Sequence, residues 1–321
     1  MVGHSYAWSS ITARNADEMA AHIDGWNQIY QQLSDKPFKG LSAKVSLPGL
    51  EIFREVTNLP IVKTGISPAG TLTFAIPLVK RGAISFSGCP MVANEIMTIA
   101  SSGAWSFLTR GHADVVTICV KKEVLGEYSL DLSLEVQAAR MTQSHGGVIL
   151  GAQEKVDGLR AVLTAMFDAL MENPQILQLP HLRKKMTAEL LIALHSTIDC
   201  GGGGRMTETI REKLDLIEHV KQYLCERSDT PVTVYEVCRE LSVSRRNLQY
   251  CFSKVLGVSP YQYLRAFRLT GARRELQRSD PKAGSITQAA TNWGFWHLSR
   301  FAQDYRRMFG ELPSETLLHA R

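Results

Sequence analysis

Basic and aromatic residues crowd the stretch TNWGFWHLSRFAQDYRRMFGELP, residues 291–313, where Trp293, Phe295, Trp296 and Phe301 stand beside His297, Arg300, Arg306 and Arg307. The aromatics suit a small helical core, and the cations suit an anionic partner on its surface. A second stretch, SRRNLQYCFSKVLGVSP at 244–260, aligns with residues 297–313 at an offset of 53. Leu248 pairs with Phe301, Phe252 with Tyr305, Lys254 with Arg307, Leu256 with Phe309, Gly257 with Gly310 and Pro260 with Pro313. A glycine ends each helix, where a left-handed residue is wanted, and a proline starts the next. Each copy follows a short amphipathic helix and a tight turn, which is the layout of a helix-turn-helix. Ala289 and Ala290 let two helices approach, Gly294 takes the turn, and Phe295 plugs the corner.

The polar residues at the start of each second helix can read base edges. Arginine matches guanine, and Asn or Gln matches adenine. Arg245, Arg246, Asn247 and Gln249 in the first copy, with Trp296, His297 and Arg300 in the second, are the candidate base-reading residues. The helix between the copies, Pro260–Gln277, spans roughly 27 Å, near the ~34 Å between successive major-groove faces. Arg265 and Arg268 on that helix, and Arg306 and Arg307 at the far end of the second recognition helix, are candidate phosphate contacts. Such contacts fix register without reading sequence.

Other chemistries find little footing. Nine histidines show no HxH or HExxH spacing, so no metal site is assigned. SHGGVILG at 144–151 lacks a phosphate-cradling motif, and SHGGV within it reads as a turn, with a functional loop as the alternative. Cys89, in SGCPM, reads as a small buried residue. No Ser/His/Asp order specific enough for a hydrolase occurs.

The elements that must position the basic residues follow from charge and periodicity. The 321-residue chain carries +5 overall, with 36 Lys and Arg against 31 Asp and Glu. Residues 231–321 hold 14 basic and 7 acidic residues, net +7, which leaves 22 basic and 24 acidic for residues 1–230, net −2. That asymmetry points to an anionic partner for the C-terminal end. CGGGGR at 200–205 reads as a flexible joint. Upstream, residues 16–34 carry apolar residues at helical spacing. From about 41 to 120, short runs rich in Ile, Val, Thr and Phe alternate with turn residues, as in an antiparallel sandwich or barrel. Residues 121–140, 153–172 and 174–198 read as helices. Residues 207–227, 233–240, 245–256, 260–277, 286–293, 297–309 and 313–319 are also helical in pattern. The fold class is therefore α+β: a β-rich unit with helices, then an all-α unit of two helix-turn-helix motifs. Apolar runs fall short of a membrane span and the N-terminus lacks a signal-peptide layout, so a cytoplasmic protein with no membrane partner is expected. Trp105, Phe107, Phe74, Phe86, Met91 and Met97 lie on strand segments and supply core or pocket lining, with Glu51, Arg54 and Glu95 as strand-borne charges that could face a ligand.

Residues 207–319 resemble the DNA-binding domain of the AraC/XylS family of bacterial transcription regulators. The resemblance rests on Ala290, Gly294, Phe295, Phe301, Tyr305, Phe309, Gly310 and Pro313, with Tyr305 where Phe is commoner. Trp296 and His297 replace the small polar pair usual after the Gly-Phe turn, so base preference does not transfer to the second unit. More narrowly, WNQIYQQLSDKPFKG (26–40), EIFREVTNLP (51–60) and TNWGFWHLSRFAQDY (291–305) resemble the ethanolamine-utilisation operon activators. These resemblances imply a cupin-like effector-binding or dimerisation domain over 1–200, a Gly-rich linker at 201–206 and an AraC-type DNA-binding domain over 207–321. They imply double-stranded DNA, a small-molecule effector, RNA polymerase and a second copy of the chain as partners. Ethanolamine with adenosylcobalamin is the implied effector, adenosylcobalamin being the one cofactor in question, and the effector pocket is unassigned. Two rivals stand beside this activator: a constitutive regulator whose N-terminal domain only dimerises, and a cupin-like enzyme with a DNA-binding tail.

Overall fold

The computed structural model describes residues 7–80, 84–87, 89–99, 101–127, 147–199, 208–227, 230–280 and 285–319. The glycine joint at 201–204 lies outside them, as do most of the helix expected over 121–140 and the domain boundary itself.

Among the described residues, twelve strands form two antiparallel sheets. They are β1 (Trp8–Ala13), β2 (Asn27–Gln32), β3 (Gly40–Leu47), β4 (Leu50–Thr57), β5 (Ile61–Ile66), β6 (Thr71–Lys80), β7 (Ile84–Phe86), β8 (Cys89–Pro90), β9 (Glu95–Ile99), β10 (Ala104–Thr109), β11 (Ala113–Lys121) and β12 (Gly147–Leu150). One sheet runs β1-β3-β4-β11-β6-β9-β12 and the other β2-β5-β10-β7-β8. Helices α1 (Ala16–Ala21), α2 (Lys122–Glu127), α3 (Gln153–Glu172) and α4 (Pro180–Asp199) accompany them, with a 3-10 turn at Pro174–Gln178.

Strand alternation sorts side chains into layers. On β11, Ala113 and Val115 face the other sheet, while Val116, Ile118 and Val120 join the cluster under α3 and α4. Leu163, Phe167, Leu191 and Leu194 of the two helices complete that cluster. The central strands of the larger sheet, β6 and β11, covered on both faces, read as the most apolar runs, TLTFAIPLVK and ADVVTICVK.

Two expectations fail here. Residues 16–34 are not one helix: α1 ends at Ala21, Gly25 takes φ +76, and residues 27–32 pair with β5. Met19, Ile23 and Tyr30 are buried all the same. Their spacing fits a helix by coincidence, because a short helix and a strand pack on the same core. Gly147 and Val148, the described end of SHGGV, begin a strand on β9 rather than forming a turn.

The C-terminal helices are α5 (Glu208–Cys225), α6 (Val234–Glu240), α7 (Arg245–Val255), α8 (Pro260–Arg278), α9 (Ile286–Asn292), α10 (Leu298–Phe309) and α11 (Pro313–Leu318). Each unit has its own apolar cluster, one centred on Leu248 and Phe252 and the other on Phe301 and Tyr305. Val62 of β5 and Leu108 of β10 belong to the first of these clusters. The outer face of the smaller sheet is therefore roofed by the helical domain.

Candidate nucleic-acid interface

The first helix-turn-helix is α6 and α7. Thr233 caps α6 in a reciprocal box with Glu236, and Ser244 caps α7 by accepting from the Asn247 amide at 3.1 Å. Leu248, Cys251, Phe252 and Val255 form the buried stripe of α7. That stripe leaves Arg245, Arg246, Asn247 and Gln249 exposed at its N-terminal end.

The second unit, α9 and α10, repeats this plan with one change. The Val243 amide donates to Cys238 O at 3.0 Å, and the Phe295 amide donates to Ala290 O at 2.8 Å. Ser242 and Gly294 both take positive φ, 52° and 73°. These pairs lie 52 residues apart, whereas the recognition helices lie 53 apart. The second turn is longer by one residue, and that residue is Trp296, 75 % exposed. His297 then precedes α10 without a side-chain cap, and Leu298, Ser299 and Arg300 are exposed beside it. All seven candidate base-reading residues thus sit exposed at or beside the N-terminal ends of α7 and α10.

The phosphate candidates divide. Arg306 and Arg307 are exposed, and Arg307 Nη1 lies 4.0 Å from Asp35 Oδ2. Arg265 is committed to carboxylates, which corrects its reading from sequence as a phosphate contact. Arg265 lies 2.6 Å from Asp304 and 3.2 Å from Asp35. Arg268 stacks 5.3 Å from the Phe295 ring, and burial lowers its guanidinium pKa. Arg273 and Arg274 are likewise committed, to Glu311 at 3.0 Å and to Asp17. Between the two units α8 is buried on nearly every side from Tyr263 to Leu276, so its arginines brace the helices. Local spacing does not reveal this, because the acidic partners Asp17 and Asp35 lie more than 200 residues upstream.

The β-rich unit touches the opposite ends of the recognition helices. Gln32 Nε2 donates to Met308 O at 3.2 Å, and Pro37 lies against Gly310. Arg110 covers Gly257 at the end of α7, where an added Cβ would meet its Cζ at 2.9 Å. Gln31 Nε2 reaches Thr270 Oγ1 at 3.4 Å. The reading ends stay open while the far ends are held.

Inside the β-rich unit, Tyr30, Phe86, Met97, Trp105 and Phe107 line a cavity between the sheets. Lys63 and Glu55 meet there at 2.8 Å, with side chains 4 % and 7 % exposed. The Lys63 ammonium also lies 4.7 Å over the Tyr30 ring. Burial lowers the Lys63 pKa, and the Glu55 carboxylate opposes that. The strand charges expected to face a ligand do not. Glu51 accepts from Ser46, Arg54 pairs with Asp114, and Glu95 accepts from the Val92 amide.

A helix-turn-helix domain model matches residues 237–318. The XylDLEGF operon transcriptional activator 2 of Pseudomonas putida is 33 % identical over 137 residues, 43 % of this chain and 83 % of that protein. The chain belongs to the AraC family of helix-turn-helix transcription regulators. The probable thc operon regulatory protein of Rhodococcus erythropolis is 42 % identical over 95 residues, 30 % of this chain and 29 % of its own length. The chain therefore spans less than a third of that relative. A solved structure of a probable AraC family regulator from Rhodopseudomonas palustris CGA009 is 35 % identical, covering 33 % of this chain and 98 % of that one, with a TM-score of 0.30. Among the described residues of this AraC-family chain, no helix is long and apolar enough to cross a membrane.

Proposed function

We propose that the protein is a cytoplasmic, sequence-specific activator of transcription that binds double-stranded DNA through both helix-turn-helix units and responds to a small molecule held in its β-rich domain. The observation that carries this reading is the polarity of α7 and α10. Their N-terminal ends expose base-reading side chains, and their C-terminal ends rest on the sensing domain. Arg245, Arg246, Asn247 and Gln249 would read one half-site, and Trp296, His297 and Arg300 the other. Arg306 and Arg307 would hold phosphates, giving a steep salt dependence. RNA polymerase and a second copy of the chain are the further partners of this reading.

Strands β2 and β5 supply a route from ligand to DNA. Tyr30 and Lys63 face the cavity, whereas Gln31 and Val62 on the same strands face the helical domain. This favours a responsive regulator over a constitutive one. The ethanolamine and adenosylcobalamin reading draws no support from the relatives, which are named for the XylDLEGF and thc operons. A corrinoid far exceeds a cavity of about 40 Å3, and the ammonium position is already filled by Lys63.

The test is operator selection from random duplexes, followed by binding of two variants. Arg246→Ala should weaken operator binding about 5- to 100-fold with little change on random DNA. Arg307→Ala should weaken both alike. Equal losses on operator and random DNA for the two variants would refute this division of roles.

A further inference from the structure

Leu298, Ser299, Arg300 and Ala302 stand in α10 where α7 carries Arg245, Arg246, Asn247 and Gln249, at the offset of 53. The first head therefore offers long side chains with hydrogen-bonding ends, and Arg, Asn and Gln can each hold a purine edge by two bonds. At the matched positions the second head keeps one such side chain, Arg300. Leu298 is 42 % exposed, and Trp296, which lengthens the turn before α10, is 75 % exposed. The other four tryptophans are all paired with rings. Trp8 packs on Phe167, Trp26 on Phe53 and Trp105, and Trp293 on Phe267. Among the described residues, the Trp296 side chain has neither a ring neighbour nor a hydrogen bond.

An indole left in water has a large apolar surface to bury. Its surroundings say what buries it. Trp296 is flanked by exposed His297 and Arg300, at the end of α10 opposite the one held by Gln32 and Pro37. Any occupant of this surface meets the base-reading side chains as well, which favours the duplex. In the major groove the apolar group that marks a base is the C5-methyl of thymine. We propose that Trp296 and Leu298 read thymine methyl groups, so that apolar contact selects the second half-site and hydrogen bonds select the first. This deepens the DNA reading proposed above and rests on it.

The test starts from the operator recovered by selection. Deoxyuridine would replace thymidine one position at a time, which removes a methyl group and leaves the base pair intact. At one or two positions of the second half-site this should weaken binding about 3- to 10-fold. Trp296→Ala should weaken the thymine operator by at least that factor and abolish the deoxyuridine penalty there. Trp296→Phe, still apolar, should keep part of the penalty. The slope of log K against log salt should stay unchanged in both variants, since no phosphate contact is lost. Trp296 is exposed, so both variants should melt as the parent chain does. A second half-site without thymine would overturn the proposal, as would a penalty that is absent or that persists in Trp296→Ala. Unchanged DNA affinity in Trp296→Ala would also overturn it and leave the indole to a protein partner. Trp296-dependent bending of the duplex without methyl dependence would replace it with a wedge between base steps. Operator selection with the Arg246→Ala loss intact, but no deoxyuridine effect, removes this inference alone. Failure to select any operator removes the DNA reading beneath it.

Discussion

Arg268 and Arg307 stand on neighbouring helices with the same side chain and opposite circumstances. Arg307 is exposed near Asp35, whereas Arg268 lies against Phe295 with its Nε buried and without a hydrogen-bond partner. Sequence alone ranks them equally, because burial across two units is not encoded in local spacing. The base-reading candidates were easier to place. They precede or interrupt an apolar stripe whose other face must be buried, so their exposure follows from periodicity. Two phenols carry a pH consequence. Burial raises the pKa of Tyr30, reinforced by the Glu55 carboxylate, and burial likewise raises that of Tyr305, which donates to Thr316 Oγ1 at 2.8 Å. A phenol with a folded pKa above its unfolded value keeps its proton more readily in the fold. The associated stability is intact below pH ~10 and falls as pH rises beyond it. Absorbance at 295 nm should show these two tyrosines ionising only together with loss of near-UV circular dichroism. Their ionisation ahead of that loss would contradict the burial described.

At the scale of elements, the two turns are the instructive pair. Gly294 and Ser242 hold matching left-handed positions, but an added Cβ at Gly294 would collide with Pro231. Gly294→Ala should therefore cost about 1–3 kcal/mol in denaturant unfolding. Ser242→Ala, at an exposed position that already carries a Cβ, should change stability by less than about 0.5 kcal/mol. A small effect at Gly294 would mean that the second turn can relax. The glycines and prolines that bound α7, α8, α10 and α11 were legible because each meets a specific backbone demand: Gly257 and Gly310 have φ of 69° and 78°. Strand β2 was not legible. Its apolar residues also satisfy a helical period, and only pairing with β5 and the break at Gly25 decide between the two.

Across the whole molecule, four layers stack: a helix pair, the larger sheet, the smaller sheet and the helical domain. The loop after β2 ties the last two together, with Asp35 reaching both Arg265 and Arg307. Asp35→Asn should release Arg307, steepening the fall of log K with log salt by up to about one unit on any DNA. An unchanged slope would mean that Arg307 holds no additional phosphate when released. The order of a β-rich unit before a helical one was legible in the runs of strand-like and then helix-like pattern, yet the seam between them was invisible, since its partners are remote in sequence. That seam also bears on how a promoter can drift. With α8 buried from Tyr263 to Leu276 and the far ends of both recognition helices held by the β-rich unit, the two reading heads keep a fixed phase around the duplex. One base pair inserted between half-sites turns the second by about 34° about the DNA axis, at roughly 10.5 base pairs per turn. Binding sites for this protein can therefore diverge by exchanging bases, while insertions and deletions between their halves are purged.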